Sequence, residues 1–109
     1  MSDVFAIKGK APYQITDADR AALEAAIDMD ELTALALELG NIPSPSKSEA
    51  AASQYVFDWM KREGFNPRTS GATPERLNVI GEYGGQHPGP NLLFTAHLDT
   101  ESPTYEPDL

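Results

Sequence analysis

The sequence predicts an α/β fold, with helices first and the opening strands of a mixed sheet after them. Two observations carry this. Apolar residues recur at helical spacing as far as Gly64, then at strand spacing from Phe65 to Ala96. Capping residues, glycines and prolines also divide the chain where the period changes.

Residues 1–15 are read as an N-terminal arm, because Val4, Phe5, Ile7, Tyr13 and Ile15 follow no sustained period. Thr16 is placed to cap a first helix, with Asp17 and Asp19 in its positive first turn. Ala22, Leu23, Ala26 and Ile27 form its apolar stripe. Asp28 restarts the pattern with Glu31 three residues on. Leu32, Leu35, Ala36 and Leu39 form a second stripe, and Gly40 is a suitable stop. Pro43 and Pro45 force the chain out of helix, since each disfavours helical geometry in the residue before it. Ser46 and Glu49 have capping-box spacing for a third helix, with Ala52, Tyr55, Val56, Trp59 and Met60 on its buried face and Gly64 beyond its end.

Phe65–Thr69 is expected as an edge strand, because Pro67 lacks an N–H for a central ladder. Leu77, Val79, Gly81 and Tyr83 alternate with Asn78, Ile80 and Glu82, which reads as a strand. Asn91–Ala96 reads as a second strand, apolar enough to be buried on both faces. The short link through Gly84–Pro90 favours antiparallel pairing of these two strands. A Pro-containing acidic tail over 101–109 leaves a domain of residues 16–100.

Composition narrows the function classes. The 109 residues carry 17 acidic and 8 basic side chains, a formal charge of -9. Attraction to nucleic acid or to an anionic membrane surface is not expected from such a charge. No cysteine is present, which excludes disulfides, thiolate metal ligands and a cysteine nucleophile. No signal-peptide pattern or long apolar span is read, so a cytoplasmic location is expected. Leu, Ile, Val and Phe number 22, few for an independent core.

The polar cluster His97-Leu98-Asp99-Thr100 lies at the carboxyl end of the expected apolar strand, where α/β sheets usually bind ligands. In strand geometry His97 and Asp99 share a face. An imidazole can bind a metal through one nitrogen while a carboxylate orients the other. Two residues do not complete a zinc site. A simple polar strand end and a His–Asp base awaiting a nucleophile remain open readings of the same pair. Thr100 is placed to donate to Asp99 or to cap a turn. His87 sits in the glycine-rich link as a solvent-exposed residue. Ser44, Ser46, Ser48 and Ser70 lack the flanking pattern of a serine hydrolase.

The run RLNVIGEYGG from Arg76, followed by NLLFTAHLDT from Asn91, resembles the N-terminal catalytic segment of the M20 metallopeptidase family. That family includes aminoacylase, acetylornithine deacetylase, succinyl-diaminopimelate desuccinylase and carboxypeptidase G relatives. The stretch IPSPSKSEAAASQYVFDWMKREGF from Ile42 resembles the family's opening region. The resemblance covers roughly residues 30–100 and implies part of an α/β/α zinc-hydrolase catalytic domain. It implies His97 as the first metal ligand and Asp99 as the carboxylate that orients it. It further implies two zinc ions in the complete site, sometimes replaced by cobalt or manganese, and hydrolysis of a small amide substrate. The family's bridging aspartate, paired glutamates and remaining ligands have no counterpart here. The resemblance therefore implies a larger partner subunit, or a downstream portion of the same chain, to complete the domain. A non-catalytic interaction module that keeps the family's front end is the alternative.

Overall fold

The computed structural model describes residues 14–86 and 88–101. It is a mixed α/β fold with three helices and one small antiparallel sheet: α1 (Asp17–Ala25), α2 (Met29–Gly40), α3 (Ala50–Arg62), β1 (Asn66–Ser70) and β2 (Asn78–Glu82). The proposed arm over 1–13, His87 and the tail over 102–109 lie outside the described residues. The chain divides into two compact units, Met1–Ala34 and Leu35–Leu109, with the division inside α2.

In the first unit the caps form as the sequence predicts. Thr16 is extended at φ -78° and ψ 165°. Its hydroxyl accepts the Asp19 N–H at 3.1 Å while the Asp19 carboxylate accepts the Thr16 N–H at 3.1 Å. This reciprocal box satisfies donors that the first turn of α1 leaves unpaired. Asp28 satisfies donors at the start of α2 from its side chain, its carboxylate accepting the N–H groups of Asp30 and Glu31 at 3.0 and 3.1 Å. Leu23 on α1 and Ile27 just beyond its end, both in the expected apolar stripe, are exposed.

In the second unit α3 packs on the β1–β2 hairpin. Gly64, at φ +88°, takes the left-handed conformation that ends α3 and turns the chain into β1. Asn66 pairs with Glu82, Arg68 with Ile80 and Ser70 with Asn78. Pro67 lies in β1, whose other edge makes no ladder among the described residues, in keeping with an edge strand. Ser53 is buried on α3 and donates its hydroxyl to the Leu77 carbonyl at 2.7 Å, fixing the helix to the start of β2. The Trp59 and Phe65 rings lie 5.9 Å apart, and those of Phe65 and Tyr83 lie 5.2 Å apart. Both spacings fall in the favourable range for tilted aromatic pairs. Among the described residues the fully buried apolar side chain is Ala52, at 1% exposure. The expected buried face of α3 is therefore only half-buried at Tyr55, Val56, Trp59 and Met60.

Two expectations are corrected. Asn91–Ala96 forms no strand, and the antiparallel partner of β2 is β1. Leu92, Leu93 and Phe94 are 80%, 86% and 82% exposed. The reason is topological: a tight return through residues 71–77 fills one edge of β2 with β1, and no described layer covers 91–96. The capping box at Ser46 and Glu49 does not form either. Glu49 itself occupies the cap position of α3 without a side-chain cap bond. Its carboxylate accepts the Lys47 N–H at 2.9 Å and two hydrogen bonds from Arg76 at 3.3 Å. The carboxylate that the box would turn back to the Ser46 N–H is instead taken up by the Lys47 N–H and the Arg76 guanidinium.

Candidate functional site

The turn between α2 and α3 supports the His97 segment. Pro43 and Pro45 keep it out of helix, and Lys47 takes φ 76°, uncommon for a residue with a side chain. Glu49 holds that conformation by accepting the Lys47 N–H, and Arg76 holds Glu49. The Lys47 N–H, with help from Arg76, keeps the Glu49 carboxyl below its ordinary pKa against an opposing contribution from burial. Against this turn the chain returns at Thr100, whose N–H donates to the Ser44 carbonyl at 2.7 Å. Pro45 and Thr100 form a parallel bridge. The sequence placed Thr100 as a donor to Asp99 or a cap; its backbone instead fastens the segment.

His97 and Asp99 come together as their spacing suggests. His97 Nδ1 lies 2.9 Å from Asp99 Oδ1 and 2.8 Å from the Asp99 carbonyl oxygen. Both partners are acceptors, so Nδ1 carries the proton and the neutral ring keeps its lone pair on Nε2. The imidazole is 84% exposed. Asp99 is half-buried, and its Oδ2 accepts the Ser46 hydroxyl at 2.5 Å. The Ser46 hydroxyl is the main cause of an Asp99 pKa below the usual carboxylate range; desolvation opposes it and His97 adds to it. The carboxylate therefore stays charged at neutral pH and continues to accept both bonds.

This arrangement presents one imidazole nitrogen of fixed tautomer. It is not the serine–imidazole pair of a serine hydrolase, because Ser46 donates to the carboxylate and not to the imidazole. Among the described residues no group of three or more His, Cys, Asp or Glu side chains is placed to hold a metal ion. His97 and Asp99 suit one ligand and its support, and no more. No helix among the described residues is long and apolar enough to cross a membrane. Tyr55 and Trp59 line an apolar cleft of ≈ 150 Å³ with Leu35, Leu39, Val56 and Met60. At its rim the Tyr55 hydroxyl donates to the Glu38 carboxylate, which raises the Tyr55 pKa.

Sequence reasoning missed Ser46. The signal was present as a serine directly after Pro45, but its partner lies 53 residues away.

Over 83 residues the chain is 31% identical to a probable carboxypeptidase of Aspergillus flavus and, equally, to one of Aspergillus oryzae, covering 71% of this chain and 20% of each relative. A probable carboxypeptidase of Aspergillus clavatus is 28% identical over 81 residues, covering 74% of this chain and 19% of the relative. The chain has weak, partial homology to M20-family carboxypeptidases. That relationship is to a family of hydrolases at the broad level, without a subfamily. The chain spans about a fifth of the length of the curated relatives it matches. No family model matches it, and no solved structure does.

Proposed function

We propose that this chain is the front portion, or the small subunit, of a metal-dependent amide hydrolase of the M20 type. In this reading His97 is a metal ligand and Asp99 is the carboxylate that orients it. The observation that carries the reading is the His97–Asp99 contact, in which the carboxylate accepts from Nδ1 and so leaves the lone pair on Nε2 of an exposed ring. A carboxylate behind a metal-binding histidine does this work in metalloenzymes generally. The partial homology to probable carboxypeptidases supports an amide bond as the one cleaved, and the small size of the substrate is part of this reading. The complete site would hold two zinc ions, with cobalt or manganese as substitutes, and their contribution is Lewis-acid polarisation of the amide. The remaining ligands and the general base belong to a larger partner subunit or to a downstream portion. The Leu92–Phe94 run supports such a completing polypeptide, because three adjacent large apolar side chains stand in solvent. In this reading the run becomes an interior strand of the completed sheet.

Metal content and amide hydrolysis of the assembled enzyme test the proposal. His97→Ala is expected to lose metal together with activity. Asp99→Ala is expected to lose roughly 10–100-fold in either property. Unchanged metal content and rate in both variants would refute the assignment and favour a non-catalytic interaction module.

A further inference from the structure

We propose that Ser46 is a positioning residue for His97 that acts through Asp99. The part of the proposal that concerns metal rests on the reading of His97 as a ligand; the geometric part does not. An aspartate side chain has two torsions, and Asp99 follows a segment that forms no strand. One bond to an imidazole that is itself 84% exposed would leave both torsions free to exchange. Ser46 supplies the second point of attachment from another part of the chain. Its hydroxyl donates to Oδ2 at 2.5 Å while Oδ1 faces His97 Nδ1 at 2.9 Å, so the two oxygens are held from two directions. A charged carboxylate has no proton to give, which fixes the serine as donor.

The turn that carries Ser46 is itself held. Arg76 grips Glu49, Glu49 accepts the Lys47 N–H, and Ser44 and Pro45 pair with Thr100 on the far side of Asp99. A continuous line of contacts thus runs from Arg76 through Glu49, Lys47, Ser46 and Asp99 to the imidazole. The backbone carbonyl of Asp99 also accepts from Nδ1, at 2.8 Å, and can preserve part of the tautomer preference alone. The distinctive contribution of Ser46 is the orientation of the carboxylate. A donor is needed at this position, and its volume is secondary. Ser46 is exposed, so its removal leaves no cavity.

The test is nuclear magnetic resonance on the isotope-labelled full chain without metal, at about pH 8, where an ordinary histidine is neutral. Asp99 side-chain couplings report its rotamer, and long-range nitrogen correlations of His97 report its tautomer. His87→Gln identifies the His97 signals. Ser46→Ala is expected to move the Asp99 couplings toward rotamer-averaged values and to lower the share of Nδ1-protonated His97. Ser46→Thr, which keeps the hydroxyl, is expected to retain the parent couplings. Parent couplings and tautomer in Ser46→Ala would overturn the proposal. In the assembled enzyme Ser46→Ala should weaken metal binding several-fold, less than the roughly 10–100-fold expected on losing a group in direct contact with a ligand. If His97→Ala failed to lower metal content while the resonance effect of Ser46→Ala persisted, the metal reading would fail and the positioning role would stand.

Discussion

Leu93→Asp separates the stability of this chain from its assembly. Leu93 is 86% exposed, so the isolated chain gains little from the leucine and should change by no more than about 0.5 kcal/mol. The assembled domain is expected to behave differently. Burying a leucine contributes roughly 1.5–3 kcal/mol. A carboxylate left unpaired in the same place costs roughly a further 3–5 kcal/mol. The lower bounds together exceed about 4 kcal/mol, and each 1.4 kcal/mol is about tenfold in affinity, so binding to the completing polypeptide should weaken by about 10³-fold. Urea unfolding of the isolated chain and native mass measurement after co-expression with that polypeptide read the two quantities. Assembly at the parental level would refute the reasoning. So would a loss of more than about 2 kcal/mol in the isolated chain, since that would place Leu93 in a core of its own.

Two further measurements probe the second unit. A Cβ on Gly81 would stand 2.4 Å from Met60 Sδ and 3.1 Å from its Cε, so Gly81→Ala should lower stability by about 1–3 kcal/mol in urea unfolding. Adding Met60→Ala should recover about 1 kcal/mol of coupling between the two sites; strict additivity would exclude this contact as the cause. Glu49 has a folded pKa below its ordinary 4.5, so its contribution to stability is present above that value and disappears as pH falls through the folded one. Glu49→Gln should therefore flatten the fall in the urea midpoint between about pH 6 and about pH 3, and an unchanged slope would rule Glu49 out as a source of the acid sensitivity.

Much of the fold was legible because its signals are local. Thr16 with Asp19, Asp28 with its two N–H donors, and Gly64 beyond α3 each act within a few residues. Pro67 marked an edge strand for a similar reason, since a missing donor excludes a residue from a central ladder wherever the neighbours lie. Ser46 and Glu49 misled because their spacing fits a cap while their partners, Asp99 and Arg76, are distant in sequence. Leu92–Phe94 misled differently. Their apolar character expresses a need for burial, which the chain's own described elements leave unmet. The His97–Asp99 pair was legible as an imidazole and a carboxylate two residues apart, although the strand expected to put them on one face does not form, and its support from the α2–α3 turn was not legible.

The bridge between Pro45 and Thr100 has a consequence for the order of assembly. It joins positions 55 residues apart (100 − 45), so closing it requires contacts of high sequence separation, while the β1–β2 hairpin needs only neighbours. The hairpin and α3 can thus form before the histidine is set in place. The bridge also lies on the carboxyl side of His97, whereas the bare run Leu92–Phe94 lies on its amino side. The histidine is carried like a boom moored at its outboard end: in the proposed assembly an incoming sheet would take up the inboard run without casting off the mooring, and the imidazole would enter the completed site already aimed.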